Sequence, residues 1–191
     1  MSVLRKHREA MEWIMNDIKG ISSAIVQHRV HLNDDATPKR DPQRRLNPFM
    51  QDVVGTKILK LLDNGIIYPI FVSQWVSVVR AVPKKASLTV VENDNKELVQ
   101  TRLPTKIRVC IDYLKLNIIT CKDHFPLSFI YQMLERLGGH EYYCFLDGYS
   151  GYNQISIAVE DQEKIIFTCP FETFAYQCIS FGLCNAPVTF H

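Results

Sequence analysis

No run of 18 apolar residues occurs in this 191-residue chain, and its N-terminus has no hydrophobic core of the kind a secretory leader carries. The first absence argues against a membrane-spanning helix, the second against a signal peptide. None of the six cysteines forms a C-x-x-C pair, the spacing of zinc ribbons and redox motifs. Cys110, Cys144 and Cys169 fall in apolar, strand-like runs and read as small buried hydrophobes of a reducing compartment. Charge of one sign is also scarce. Lys plus Arg number 22 against 20 Asp plus Glu, a net charge of +2, so a nucleic-acid partner has to be argued from local clustering. There is no internal repeat and no low-complexity tract. His28-x-x-His31 and Cys121-x-x-His124 have the spacing of half a metal site, but no second half follows.

What is present is ordinary globular composition, 47% hydrophobic and 22% charged, enough for one core. Met11, Ile14, Met15 and Ile18 recur at helical spacing near the N-terminus. Residues 33–48 are polar and proline-rich and form an extended connector; their Arg44 and Arg45, with Lys39 and Arg40, are either a solvated linker or a phosphate contact. Residues 49–64 carry an apolar stripe, Met50, Val54, Ile58, Leu61 and Leu62, and end at Gly65, the position of a left-handed cap. Two short β segments follow and end in a basic pair, Lys84 and Lys85. Two weak strands flank Asn93-Asp94-Asn95, a hairpin signal. In KIRVCIDY, Ile107, Val109 and Ile111 alternate with Arg108, Cys110 and Asp112. After Phe125-Pro126, Ile130, Met133, Leu134 and Leu137 form a second helical stripe closed by Gly138-Gly139. YYCFLD is expected to be a continuous apolar strand ending in Asp147. Ile155, Ile157 and Val159 alternate with Gln154, Ser156 and Ala158, and Asn185 precedes Ala186-Pro187 as a helix cap. Helices mixed with an antiparallel set of strands predict an α+β architecture.

Asp147 is the residue that needs explaining. A carboxylate behind an apolar run is costly unless it is paired, hydrogen-bonded or metal-bound. Asp-Gly is also a common turn pair, and that reading stands on its own. The surroundings add to the metal reading. Gly148 and Gly151 allow close backbone approach, Tyr152 offers an aromatic face, Phe181-Gly182 makes a second tight turn, and Arg108, Lys84 and Lys85 bring positive charge. A carboxylate, a flat ring and basic groups suit magnesium-assisted phosphoryl transfer, since magnesium is held by one or two carboxylates plus substrate phosphates.

The stretches RRLNP, ILKLLDNGIIYPI, SQWVSVV, VPKK, RVCIDYLKLN, KDHFPL, QMLERLGGHEYYCFLDGYSGYNQI, EDQEKIIFTCPF, TFAY and FGLCNAPVTF, in that order, resemble the reverse transcriptase of gypsy-type LTR retrotransposons, most nearly the plant Athila-like group. DIKGIS with His28 is similar to the segment joining protease to polymerase in such polyproteins. The resemblance implies the fingers and part of the palm of a right-hand polymerase, with an antiparallel palm sheet and packed helices. Residues 1–48 would be the connector and 49–191 the polymerase part. It implies two Mg2+ ions, a template–primer of RNA or DNA, dNTPs, and protease, RNase H and integrase regions in the parent polyprotein. Asp147 matches the first catalytic, metal-binding aspartate, and Gly148 offers a backbone carbonyl toward the metal. Tyr152 matches the steric gate that disfavours a ribose 2′-OH. Arg108 matches an arginine on the incoming triphosphate, Asp112 an acid near the templating base, and Phe181 and Gly182 the turn lining the dNTP pocket. Lys84 and Lys85 resemble a basic pair at the fingers tip.

The family's Y-[VM]-D-D turn follows the helix begun at Ala186 and is not in this sequence, so the expectation is a chain that does not complete the metal clamp alone. Other departures are Ile107 and Leu114 in the fingers, Val78 where a proline is usual, Ile179-Ser180 where Met-Pro is usual, and Glu172 where a glycine is usual. Glu172 would be strained if its φ were positive. Together these suggest a decaying copy.

Overall fold

The computed structural model describes residues 2–8, 14–84, 89–92, 98–101, 107–125, 129–145 and 147–191. The helix expected from Met11, Ile14, Met15 and Ile18 is not borne out among the described residues: α1 (Ser2–Lys6) lies ahead of that stripe, Ile14 and Ile18 are extended, and Met15–Asp17 make only a 3-10 turn. Met11 lies outside the described residues. The first long helix, α2 (Pro48–Asp63), starts where its sequence says it should. Asn47 is extended and its Oδ1 accepts the Met50 amide at 2.7 Å, and Pro48 occupies the first turn, where no N–H is needed. Gly65, at φ +63°, closes the helix, and the amides of Gly65 and Ile66 return to the carbonyls of Leu62 and Leu61. Val54, Ile58 and Leu61 are buried on one face. Each contributes about 1.5–3 kcal/mol of burial free energy.

That face packs on a five-stranded sheet. Its strands are β1 (Ile67–Pro69), β2 (Ser77–Pro83), β5 (Ile107–Asp112), β6 (Ile166–Thr168) and β7 (Thr173–Tyr176), in the spatial order β1-β7-β6-β2-β5. A separate hairpin pairs β3 (Thr89–Glu92) with β4 (Leu98–Thr101); its turn at Asn93-Asp94-Asn95 is outside the described residues. The sheet is mixed rather than antiparallel throughout: β2 runs parallel to β6, with Ser77 opposite Phe167. β5 takes one edge of β2 in antiparallel register, and β6 reaches the other edge only after the long stretch that follows β5. A connection of that length leaves the strand direction free, as a short hairpin would not.

The remaining helices are α3 (Leu114–Ile119), α4 (Ile130–Leu137), α5 (Val159–Gln162) and α6 (Ala186–Phe190). The polar segment before α2 has no strand of its own but is fastened by isolated bridges, His28 to Ile157, Leu32 to Thr120 and Arg40 to Val76. His28 and Val30 are fully buried there. The buried Asp161 carboxylate accepts the Val30 amide at 2.9 Å and Lys164 Nζ at 2.5 Å, and Lys164 also donates to the Val30 carbonyl.

Further expectations are corrected. Residues 142–145 form no strand, and Tyr142 and Phe145 are 89% and 86% exposed. A strand needs neighbours for its N–H and C=O groups, and no described strand lies beside this run. For the same want of a partner the stripe on α4 stays open, with Ile130 73% exposed. Cys110 and Cys144 are exposed and only Cys169 is buried, because Cys110 sits on the outer face of an edge strand and Cys144 in the unpaired run. The alternation after Ile157 breaks as α5 begins: Ala158 is buried and Val159 is turned out. Glu172 carries no strain, since among the described residues Ser150 alone is a non-glycine with positive φ.

Candidate functional site

Asp147 opens a compact turn. The Gly151 amide returns to the Gly148 carbonyl at 3.1 Å, and the Asn153 amide to the Ser150 carbonyl at 2.8 Å. Ser150 adopts φ +47°, an uncommon conformation for a residue with a Cβ. The turn continues into a 3-10 segment, Gly151–Gln154, which presents Tyr152. Two aromatic neighbours hold that ring. Phe181 lies 4.8 Å away between centroids, and Phe190, from α6, meets it edge-on at 5.4 Å. Such pairs add about 0.5–1.5 kcal/mol beyond burial. Phe190 also presses on the turn itself. A Cβ built on Gly151 would lie 2.5 Å from its ring, and one on Gly148 3.3 Å. Glycine at 151 is therefore a steric requirement of the Phe190 contact.

Phe181 is 76% exposed, while the backbone beside it is fixed. Asn117 in α3 donates from Nδ2 to the Gly182 carbonyl at 2.7 Å and accepts the Cys184 amide on Oδ1 at 3.0 Å. Gly182 has φ +104°, a value that favours glycine. Asn185, expected as a side-chain cap of α6, bonds elsewhere. It donates to the Cys121 carbonyl and accepts the Asp123 amide, tying α6 to the segment after α3.

Arg108 and Phe181 border a cleft of about 840 Å³ between α2 and β5. Lys57 and Lys60 of α2 line the other wall, and among the described residues no acidic side chain lines it. Partial burial lowers the pKa of Lys57, and the neighbouring Lys60 charge lowers it further. Asp112 is engaged: one oxygen pairs with Arg80 at 2.5 Å, the other accepts the Leu114 amide that starts α3. Lys84, Arg44 and Arg45 are exposed, and Lys85 lies outside the described residues. Neither Lys84 nor the two arginines lines the cleft.

The metal expectation can be tested on these groups. Asp147 is exposed, and among the described residues no three His, Cys, Asp or Glu side chains converge as ligands. One carboxylate and the Gly148 carbonyl do not fit a pair of magnesium ions, which needs several carboxylates.

Four important residues escape the sequence. Nothing in spacing marks Asn117 as a clamp, and lysines at 57 and 60 look like any solvated helix face. His28, singled out for its spacing to His31, turns out to donate from Nδ1 to the Thr189 hydroxyl at 2.8 Å. Only the tertiary fold brings these groups to the site.

Residues 82–191, more than half of the chain, match the family model for reverse transcriptase (RNA-dependent DNA polymerase). The chain belongs to that family, and within it is related to the Pol polyproteins of gypsy-type LTR retrotransposons. It is 34% identical over 141 residues to the retrovirus-related Pol polyprotein of the Drosophila melanogaster transposon gypsy, covering 74% of this chain and 12% of the relative. It is 29% identical over 166 residues to that of transposon 412 from the same organism, covering 87% of this chain and 12% of the relative. The fold matches prototype foamy virus protease–reverse transcriptase, with TM-score 0.73 and 18% identity over 99% of this chain and 22% of that one. The chain thus spans about an eighth of the curated relatives' length.

Proposed function

We propose that this chain is the nucleotide-facing part of an RNA-directed DNA polymerase from a retrotransposon Pol polyprotein, joining dNTPs by template-directed phosphoryl transfer in the full-length parent. The observation that carries the reading is the Tyr152 ring wedged between Phe181 and Phe190 on the turn that begins at Asp147. A ring fixed on two sides cannot yield to a ribose 2′-OH, so it would select deoxyribonucleotides by exclusion. Arg108 would meet the triphosphate, and Phe181 and Gly182 would form the wall of the pocket. Asp147 and the Gly148 carbonyl would supply one part of a magnesium site; carboxylates from outside the described residues would have to supply the rest. Arg44, Arg45, Lys84 and Lys85 would follow a template–primer backbone, in keeping with the related foamy viral enzyme having been solved with an RNA/DNA hybrid. Residues 86–106 are longer than the corresponding fingers hairpin in many gypsy-type relatives, an insertion that resembles the Athila-like group's, which supports that affiliation.

The test is primer extension on poly(rA)/oligo(dT) with Mg2+ and dTTP. It would compare the chain, the chain extended by a family palm hairpin, and Asp147→Asn in each. Extension is expected only from the extended chain and only with Asp147 intact. Extension that survives Asp147→Asn would sink the assignment. The single convergent carboxylate favours a second reading, a binding remnant without catalysis. Salt-sensitive, Mg2+-independent binding of primer–template by both chains, with no incorporation by either, would establish it.

A further inference from the structure

The Tyr152 turn is gripped at two points by residues 20–28, far ahead of it in the chain. The Ile21 amide donates to the Gln154 carbonyl at 2.7 Å, at the end of the 3-10 segment that presents Tyr152. The approach is close: Gly20 stands at φ +71°, and a Cβ there would lie 3.4 Å from the same carbonyl. The Gln154 side chain ties the segment further by donating to the Tyr149 carbonyl at 3.0 Å. At the second grip His28, 1% exposed, bonds to Thr189, next to the Phe190 ring that meets Tyr152 edge-on. Between the grips the chain closes on itself. The amides of Ile25 and Val26 both return to the Ser22 carbonyl, and the Ala24 amide to the Ser22 hydroxyl. A closed turn of this kind fixes the spacing of its two ends. Ile21 and Ile25 are 37% and 80% exposed, so hydrogen bonds rather than burial hold residues 21–25 in place.

We infer that residues 20–28 are a strap that sets the Tyr152 ring, with His28 as a positioning residue for the choice between deoxyribonucleotides and ribonucleotides. One grip fixes the end of the 3-10 segment, the other the short helix α6. Phe190 belongs to that helix, so α6 released from His28 lets the Phe190 ring recede and the Tyr152 ring tilt after it. Without the imidazole the Thr189 hydroxyl keeps only its bond to the Asn185 carbonyl of its own helix, which does not anchor α6 to anything else. No part of the strap lies within residues 82–191, the stretch that matches the family. The ring's role as a gate rests on the proposed polymerase reading; the two grips rest on the hydrogen bonds alone.

Two measurements test the strap, one on the chain as it stands and one on the chain extended by a family palm hairpin. His28→Leu and Thr189→Val each remove one side of the bond and keep bulk, while His28→Asn keeps a donor. In the chain itself, hydrogen exchange is followed at the Asn153 amide, which closes the Tyr152 turn on the Ser150 carbonyl. Exchange there is expected to quicken roughly tenfold beyond the global change in His28→Leu and Thr189→Val, and to stay near wild type in His28→Asn. In the extended chain, incorporation of UTP relative to dTTP on poly(rA)/oligo(dT) is expected to rise roughly tenfold in the same two variants. The rise should come from a lower KM for UTP, with kcat for dTTP kept within about twofold. The double variant should rise no further than either single one, because both remove the same bond. Asn153 exchange that only follows global stability would overturn the inference. So would UTP and dTTP incorporation falling together, the result of a merely structural role. Tyr152→Ala, run beside these variants, separates the two readings. If it raises the UTP:dTTP ratio and the His28 and Thr189 variants do not, the strap's role in selection fails and the gate stands. If Tyr152→Ala leaves the ratio unchanged, the gate reading fails and takes the selection role with it, while quickened exchange at Asn153 would still establish the grip.

Discussion

His28 and Thr189 stand 161 positions apart in the chain and 2.8 Å apart in space. The Thr189 hydroxyl donates to the Asn185 carbonyl one turn back, so the imidazole must donate from Nδ1 and the ring is neutral with its proton on that nitrogen. The His28 backbone is bound on both sides as well: its amide donates to Ser156, and its carbonyl accepts from Ala158. One residue of the N-terminal segment therefore holds α6 from behind, and α6 in turn carries the Phe190 ring that presses on the Tyr152 turn. The position of the candidate gate depends on a residue far outside the motif that contains it.

That arrangement makes the fold sensitive to acid. Burial lowers the pKa of His28 from 6.5 to about 4, with the Asp161 charge opposing the shift. The unfolded chain takes up this proton first as pH falls, so the contribution is complete above about pH 6.5 and is lost progressively down to about pH 4. The loss is of order 3 kcal/mol. Melting temperature should drop across that window in the wild type. In His28→Asn, whose amide still donates to Thr189 but does not titrate, the slope should flatten. Identical slopes in the two proteins would show that another group sets the acid response.

Asp161 supports the same segment by a different means. Its carboxylate is 5% exposed and takes both the Val30 amide and the Lys164 ammonium. Asp161→Ala strands both partners and should cost about 3 kcal/mol in urea unfolding. Replacing both ends, Asp161→Leu with Lys164→Met, should recover part of that loss, because no buried charge is then left alone. A double variant less stable than Asp161→Ala would mean that the pair contributes net stability here.

Asn117 is expected to act on the turn at Phe181 rather than on the core. In Asn117→Ala the Gly182 carbonyl can turn to water, but the Cys184 amide loses its acceptor. Stability should fall by about 1–2 kcal/mol. The sharper measurement is hydrogen exchange at Cys184, which should quicken well beyond the global change. Exchange that merely follows global stability would mean that the clamp is redundant.

These sites show where sequence reading succeeds and where it stops. α2 was legible because every level agreed: a capping Asn47, Pro48 in the first turn, a stripe of Val54, Ile58 and Leu61, and a left-handed Gly65. β5 was legible from its alternation, and the Asp147–Tyr152 turn from its glycines and its family resemblance. Residues 142–145 were misjudged because an apolar run records the capacity to be buried and not the presence of a partner. The Lys57–Lys60 wall and the His28–Thr189 bond were invisible for a related reason. The bond joins residues 161 positions apart, and the wall matters only through its place opposite β5; no local period encodes either relationship.

The Gly151–Phe190 contact gives the last prediction. A methyl group at 151 would lie 2.5 Å from two ring carbons, too close for any real Cβ, so Gly151→Ala must displace Phe190 or the turn. Overpacking of this kind costs about 1–3 kcal/mol. Phe190 belongs to a short helix with one face open and is 42% exposed, so the ring is the part that can move. Its loss from the edge of Tyr152 would leave Phe181 as the ring's remaining aromatic neighbour. Gly151→Ala should therefore lower stability and, in the extended polymerase, raise incorporation of ribonucleotides relative to deoxyribonucleotides. Combining it with Phe190→Leu, which makes room for the methyl group, should restore stability but not discrimination, because the edge contact to Tyr152 is still missing. A double-mutant cycle on melting, run beside the rNTP:dNTP ratio, separates the two effects. If the double variant regained both, Phe190 would be only a packing residue, and Tyr152 would owe its position to Phe181 alone.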